Sequence, residues 1–186
     1  MITLPLRMVT EEFRRTPVLL GAEWEEVAPF YAAGDPIRQI ERASIRAFMV
    51  KHRAYLKGRV MDFGAGEQPY RDLVDGEYCP FEKGGRDPGG YFDAVMCNQV
   101  VQYLDDPKQL LAWGTRAPLK VGGHLVMTYP TNWAEVETED LWRFTKAGME
   151  RLLREIGFTV VAHELRAAVA VGAFQFPLGY GVIARR

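Results

Sequence analysis

The stretch Arg59-Val60-Met61-Asp62-Phe63-Gly64-Ala65-Gly66-Glu67-Gln68-Pro69 constrains this chain more than any other. A short, largely apolar run, Val60 to Phe63, stops at a pair of glycines set one residue apart. Such a run reads as a buried parallel strand that delivers a turn to the carboxyl edge of an α/β sheet, where ligands bind. Gly64 and Gly66 let the backbone turn tightly and let a ligand approach main-chain N–H groups. The turn therefore reads as half of a nucleoside-binding site.

Its flanks narrow the ligand. A phosphate-cradling loop needs Gly-Lys and then Ser or Thr, and Gln68-Pro69-Tyr70 stands in that place. A dinucleotide fingerprint needs a third glycine at position 69, where a helix must approach the pyrophosphate closely. That residue is Pro69, and Glu67 would set like charge against a diphosphate. A nucleoside without a phosphate tolerates both.

Composition limits the class. With 186 residues, 48% of them hydrophobic, the chain can bury one core. A net charge of -1 argues against a nucleic-acid binder that works by bulk electrostatics. Cys79 and Cys97 are too few and too isolated for a disulfide framework or a metal site, so no metal is expected. They read as buried thiols in a reducing compartment. No run reaches the roughly 18 apolar residues of a membrane span, and the first ten residues lack the apolar stretch of a signal peptide. A cytoplasmic protein with no membrane partner is the expectation.

Along the chain, residues 1–34 are irregular in pattern and suit a lid over the ligand edge or simple packing on the core. Asp35-Pro36 reads as an N-cap with proline at the first helical position, opening a helix to about Leu56. Its basic run, Arg38 to Lys57, reads as a solvated face. Strand 59–63 follows, then a short helix from Pro69 to Val74, then a strand from Tyr78 to Glu82. Pro80 inside that strand suits an edge position. Residues 83–91 are glycine-rich and too few for both the helix and the third strand of a doubly wound sheet. Any third strand is therefore absent or a stub near Arg86-Asp87. Phe92 to Cys97 reads as a buried strand ending at Asn98-Gln99. Asp106-Pro107 opens a helix to about Ala117, and Val121-Gly122-Gly123 turns into the strand His124 to Tyr129. Thr145 caps a helix to Ile156, closed by Gly157. Phe158 to Glu164 and Leu178 to Ala184 are the last strands, joined by an Ala- and Gly-rich link into a hairpin-like unit.

These residues carry a resemblance. Val60-Met61-Asp62-Phe63-Gly64-Ala65-Gly66 resembles the first motif of class I S-adenosylmethionine-dependent methyltransferases of the type 11-like kind, and Tyr70-Arg71-Asp72-Leu73 after Gln68-Pro69 is similar to a branch whose turn ends in proline-tyrosine-arginine instead of a third glycine. Phe92 to Val100 is similar to that family's fourth-strand motif, and Leu119 to Val126 to its fifth. Asp140-Leu141-Trp142-Arg143-Phe144-Thr145 resembles the segment before its later helix. The ordered match spans about residues 58–164.

The resemblance implies S-adenosylmethionine as cofactor, with Asp62, Gly64, Ala65 and Gly66 bordering its methionine part. It places Glu82, about 20 residues beyond Asp62, at the ribose hydroxyls. It places Asn98 and Gln99 beside the sulfonium and the acceptor. Methyl transfer is an in-line displacement governed by positioning and a dry site, so no obligatory catalytic residue follows. A hydroxyl or amine acceptor needs a base. The acids on the loop after the fifth strand, Glu135, Glu137, Glu139 and Asp140, are the candidates, with Glu135 and Asp140 foremost. His52, His124 and His163 read as structural or surface residues, and Tyr129, Trp133 and Trp142 as acceptor-pocket or packing residues. Gln102-Tyr103 replace an acid–histidine pair common in the family, and Asp87 is the one substitute for an adenine-side aspartate after the missing third strand.

The expected architecture is one α/β domain over 1–186, with a helical cap at 1–57 and a sheet core at 58–186. Its core is a Rossmann-like methyltransferase sandwich, a mostly parallel six- or seven-stranded sheet with an antiparallel last strand and an abridged third-strand region. The expected activity is methyl transfer to a small-molecule acceptor, with no nucleic-acid partner; a homodimer is open. The alternative is a non-catalytic module of the same fold that binds or regulates a partner. A third option is another nucleoside-binding α/β protein.

Overall fold

The computed structural model describes residues 36–82, 84–86, 88–133, 139–171 and 174–186. The first helix, α1 (Pro36–Lys51), is followed by a 3-10 turn and by strand β1 (Lys57–Phe63). Strand β2 (Asp75–Phe81), strand β3 (Phe92–Asn98) and the short helix α2 (Pro107–Leu111) come next. Strand β4 (Leu119–Pro130), helix α3 (Lys146–Glu155), and strands β5 (Thr159–Val171) and β6 (Phe174–Arg185) complete the described chain. They form a six-stranded sheet of order β2-β1-β3-β4-β6-β5. β1 to β4 run parallel, and β6 is antiparallel to both β4 and β5. This is the mixed α/β sheet expected, with an antiparallel last strand.

Period-two alternation gives each central strand a buried side chain on both faces. Met61, Phe63, Val95, Cys97, Leu125 and Met127 face one way, into a core with Leu111 of α2 and Met149 and Leu153 of α3. Val60, Ala94, Met96, Val126 and Ile183 face the other way, against Ile45, Phe48 and Met49 of α1. Asp62 shares the parity of Val60 and so lies on the α1 face, whereas Phe63 lies on the α2 face. Local signals set the helix starts. Asp106 accepts the Gln109 amide at 3.0 Å and Thr145 accepts the Gly148 amide at 3.1 Å.

No strand occurs among the described residues between β2 and β3, so β2 is the edge of the sheet and Pro80 sits on it, exposed. The carboxyl ends of β1, β2, β3 and β4 converge on one edge of the sheet. Other expectations shift. The helix expected from Pro69 to Val74 is a single 3-10 turn, Arg71–Leu73, because eleven residues (64–74) are consumed in crossing from β1 to β2. The helix expected to reach Ala117 is α-helical to Leu111 and then widens to a five-residue π turn, Ala112–Arg116. The link between the last strands is itself strand: β5 and β6 pair out to Val171 opposite Phe174, while β4 stops at Pro130 opposite Gly179. The outer hairpin thus runs past the carboxyl edge as a two-stranded ribbon. The lid expected from residues 1–34 lies outside the described residues. No helix among the described residues is long and apolar enough to cross a membrane.

Candidate active site

The glycine turn is bound to the end of β2. Gly64 N and Ala65 N both donate to Phe81 O, at 2.8 and 3.4 Å, and Gly66 N donates to the Glu82 carboxylate. Gly64 has φ +78°, and a Cβ there would collide with Val100 Cγ2. Gly66 has φ +49° and open space where a side chain would stand. Both positions therefore demand glycine, one for close packing and one for backbone shape. Pro69, in place of a third glycine, is held from α1: its carbonyl accepts Arg46 Nη1 at 3.0 Å, and Arg46 also pairs with Asp72. The basic run on α1 is thus no uniformly solvated face, since Arg46 is buried.

On the α1 side of the turn lies a polar cavity of about 430 Å³, lined by Glu41, Arg42, Asp62, the three residues Gly64 to Gly66, Glu67, Asn98 and Gln99. Asp62 is only 2% exposed and accepts the Tyr78 hydroxyl at 2.7 Å. Burial pushes its carboxyl up to about 6; the Tyr78 hydrogen bond opposes the shift and the Glu82 charge adds to it. Asn98 Oδ1 accepts Thr128 Oγ1 at 3.0 Å, but its Nδ2 is buried with no hydrogen-bond partner among the described residues. Gln99 adopts φ +56°, a strained conformation for a residue with a side chain. Its amide is held by Thr128 O at 3.0 Å and its carbonyl by Gln102 Nε2 at 3.0 Å.

A smaller cavity of about 160 Å³ adjoins it, sharing Glu41, Arg42 and Gln99 and adding Gln102, Trp133 and Asp140. Burial raises the Glu41 carboxyl, against the lowering pull of Arg166, Arg143 and Arg42. Arg166, buried behind it, lies 3.8 Å from Glu41 Oε1 and donates to Ser44 Oγ at 2.5 Å. Asp140 is held by Arg143 through contacts of 2.5 and 2.6 Å.

On the α2 side of the turn lies an apolar cavity of about 410 Å³. Phe63, Phe81, Leu104, Leu110 and Trp113 line it, with Glu82, Asp105 and Glu139 at its polar margin. Phe63 and Phe81 stack with ring centroids 5.7 Å apart. Gly64 lines both this cavity and the polar one.

The expected residues are thereby distributed. Asp62, Gly64, Ala65, Gly66, Asn98 and Gln99 gather on the polar cavity, and Glu82 borders the apolar one with one oxygen already on Gly66 N. Glu135, Glu137 and Asp87 lie outside the described residues. Glu139 borders the apolar cavity, away from Asp140 on the smaller one. Tyr129 is fully buried and bonded to His163 at 2.7 Å, in the core and not in a pocket. Trp142 stacks on Phe144 and donates to Leu104 O at 2.8 Å. His52 packs at a tilt against Phe48, and His124 at the amino half of β4 packs against Tyr55. Among residues the sequence reading passed over as site residues, Glu41 and Arg42 line both cavities on the α1 side, and Asp105 lines the apolar one. Only their nearness to the helix starts expected at Asp35-Pro36 and Asp106-Pro107 could have pointed to them.

No protein-family model matches the chain, and no curated protein matches it significantly in sequence. Solved structures do match. A SAM-dependent methyltransferase from Archaeoglobus fulgidus is 16% identical over 79% of this chain and 94% of its own, with a TM-score of 0.58. Magnesium protoporphyrin IX methyltransferase from Synechocystis PCC 6803, with bound SAH, is 10% identical over 97% of this chain and 99% of its own, with a TM-score of 0.53. The cyclase SpnF is 17% identical over 78% of this chain and 82% of its own, with a TM-score of 0.54. At such identities the likeness is one of fold. The chain has the Rossmann-like fold of the class I S-adenosylmethionine-dependent methyltransferases.

Proposed function

We propose that this chain binds S-adenosylmethionine and transfers its methyl group to a hydroxyl or amine of a small molecule. The observation that carries the reading is the pair of unlike cavities that share Gly64, one polar and acid-lined, the other aromatic. A ligand with a charged amino-acid end and a flat purine end matches that division. The fit extends to single atoms: the unpartnered Asn98 Nδ2 offers a donor to the polar cavity, and the space over Gly66 admits a ligand against the main chain.

In this reading Asp62 faces the ammonium of the cofactor and Arg42 its carboxylate. Glu82 keeps Gly66 N on one oxygen and offers the other to a ribose hydroxyl. When bound, the cofactor supplies an electrophilic methyl on a sulfonium. Gln99, fixed in its strained turn by Thr128 and Gln102, shapes the junction between the cofactor side and the small cavity that suits the acceptor. Glu41 opens onto that junction, and its burial favours taking up a proton, so it receives the proton that the acceptor oxygen or nitrogen loses. Asp140, fully engaged by Arg143, orients the wall and takes no proton.

Isothermal titration with S-adenosylmethionine and S-adenosylhomocysteine tests the reading. Saturable heat and a raised melting temperature with both are expected. Neither heat nor thermal shift with either ligand sinks it, and binding of NAD instead would replace it with a different nucleoside ligand. A second reading, a cofactor-binding module without turnover, is favoured by the lack of a strand between β2 and β3 among the described residues. It predicts binding of both ligands with no methyl transfer to a panel of hydroxyl and amine acceptors.

A further inference from the structure

The small cavity beside Glu41 is walled by an amide that is only half used. Gln102, in the 3-10 turn after β3 (Val101–Tyr103), is 4% exposed and lines that cavity. Its main-chain carbonyl accepts the Leu141 and Trp142 amides at 2.8 and 3.2 Å, which ties the loop carrying Asp140 to this turn. Its Nε2 donates to Gln99 O at 3.0 Å. That contact fixes which end of the side-chain amide is which, because a carbonyl oxygen only accepts. The other end, Oε1, is therefore an acceptor, and it is buried with no hydrogen-bond partner among the described residues. Leaving a buried acceptor unbonded is unfavourable, and a ligand in the cavity can supply the hydrogen. The charged groups nearby are engaged with one another. Arg143 holds both oxygens of Asp140 and reaches Trp133 O at 3.4 Å. Arg166 stands 3.8 Å from Glu41, and the guanidinium groups of Arg42, Arg143 and Arg166 all act on the Glu41 carboxyl.

We propose that Gln102 makes the acceptor subsite selective for an uncharged primary amine on a flat ring, which donates one N–H to Glu41 and the other to Gln102 Oε1. The inference rests on the methyl-transfer reading above and narrows its acceptor from hydroxyl or amine to amine. A hydroxyl carries a single hydrogen and serves one of the two acceptors, so the other stays buried and unbonded. A primary amine carries two hydrogens, serves both, and keeps its lone pair free to react. Three guanidinium groups around two carboxylates disfavour a full ammonium. The matching amine is therefore weakly basic, as one attached to an aromatic ring is. Trp133 and Pro130 offer the ring apolar surface, and a cavity of about 160 Å³ suits one ring. Gln102 accepts a hydrogen bond and takes no proton, which stays the role of Glu41.

The test titrates the full chain, saturated with S-adenosylhomocysteine, with aniline, phenol and benzylamine. Aniline should bind about tenfold tighter than phenol, from which it differs only in bearing NH2 in place of OH. Benzylamine, a cation at neutral pH, should bind more weakly than aniline. Gln102→Met keeps the length of the side chain and removes its acceptor, and should bring aniline and phenol to within about twofold of each other. The same variant releases Gln99 O, but a merely structural loosening lowers both affinities and keeps their ratio, so the ratio reads recognition alone. If the variant does not fold, the wild-type comparison of the three probes decides. An equal or inverted aniline-to-phenol preference in the wild type, a preference that survives in Gln102→Met, tighter binding of benzylamine, or no binding of any probe overturns this subsite and leaves cofactor binding standing. A wild type that gives no heat with S-adenosylhomocysteine overturns the cofactor reading and the subsite with it.

Discussion

The polar and apolar cavities meet at one glycine but are made from opposite faces of the same strands. Asp62 and Phe63 are adjacent in sequence, and strand alternation sends one toward α1 and the other toward α2. On the α1 face a carboxylate is buried, a side-chain amide lacks a partner, and Gln99 is strained. On the α2 face aromatic rings cover each other, and the described acids at the cavity margin, Glu82, Asp105 and Glu139, are exposed. The α1 face thus carries the free-energy cost of readiness, and the α2 face supplies area. Charge recognition and pH dependence belong to the first, sequence-tolerant stacking affinity to the second.

The largest perturbation removes the shared wall. Gly64→Ala places a Cβ against Val100 at φ +78° and should cost on the order of 1–3 kcal/mol of stability through strain. It should also abolish titratable binding of S-adenosylhomocysteine. Intact binding would show that the cavities do not communicate through this residue.

Asp62→Asn separates the two faces by pH. The folded carboxyl sits near 6, above its ordinary 3.8, so the folded state holds a proton that the unfolded state has lost. Stability from this group is therefore greatest below 3.8 and falls as pH rises through about 6. Asparagine should remove that slope and raise stability at pH 8, by roughly 1–3 kcal/mol as an upper range. Binding should respond in the opposite sense: wild-type affinity for S-adenosylhomocysteine rises through pH 6 as the carboxylate forms, and the variant is weak throughout. Thermal melts and titrations across pH 5 to 8 check both signs.

Leu110→Ala acts on the apolar side only. Losing part of a half-buried side chain should weaken adenosine binding by about fivefold, near 1 kcal/mol. The pH profile of S-adenosylhomocysteine binding should keep its wild-type shape. A changed profile would mean that the faces are coupled. Smallest of all, Thr145→Ala removes the cap of α3 at a residue that lines neither cavity. It should lower stability by about 1 kcal/mol and leave both affinities unchanged.

Local signals were legible in the sequence where one element decides its own shape. The β1 turn, the buried β3 run, and the caps at Asp106 and Thr145 lie where residue type and spacing place them. What depended on distant partners was not. Arg46 reads as one more cation on a basic helix until Pro69 and Asp72, more than twenty residues on, meet it. The alanine- and glycine-rich link has little strand preference of its own, and becomes strand because each half pairs with the other. The π turn at Ala112–Arg116 has no signature in its residues, since Gly114 matters only once Phe63 stands beside it. Glu41 was hidden for the same reason: its surroundings are supplied by Arg166 from the far end of the chain.

The sheet that ends at β2 has a further consequence for motion. Edge strands open most readily to exchange with solvent, and here the edge strand carries the Phe81 carbonyl and, just past its end, the Glu82 carboxylate that hold the glycine turn. The binding loop is therefore one strand away from the most easily frayed part of the sheet. Ligand occupancy and local unfolding of β2 become competing equilibria, and amide exchange along residues 75–81 should slow in proportion to saturation, with little change in β4.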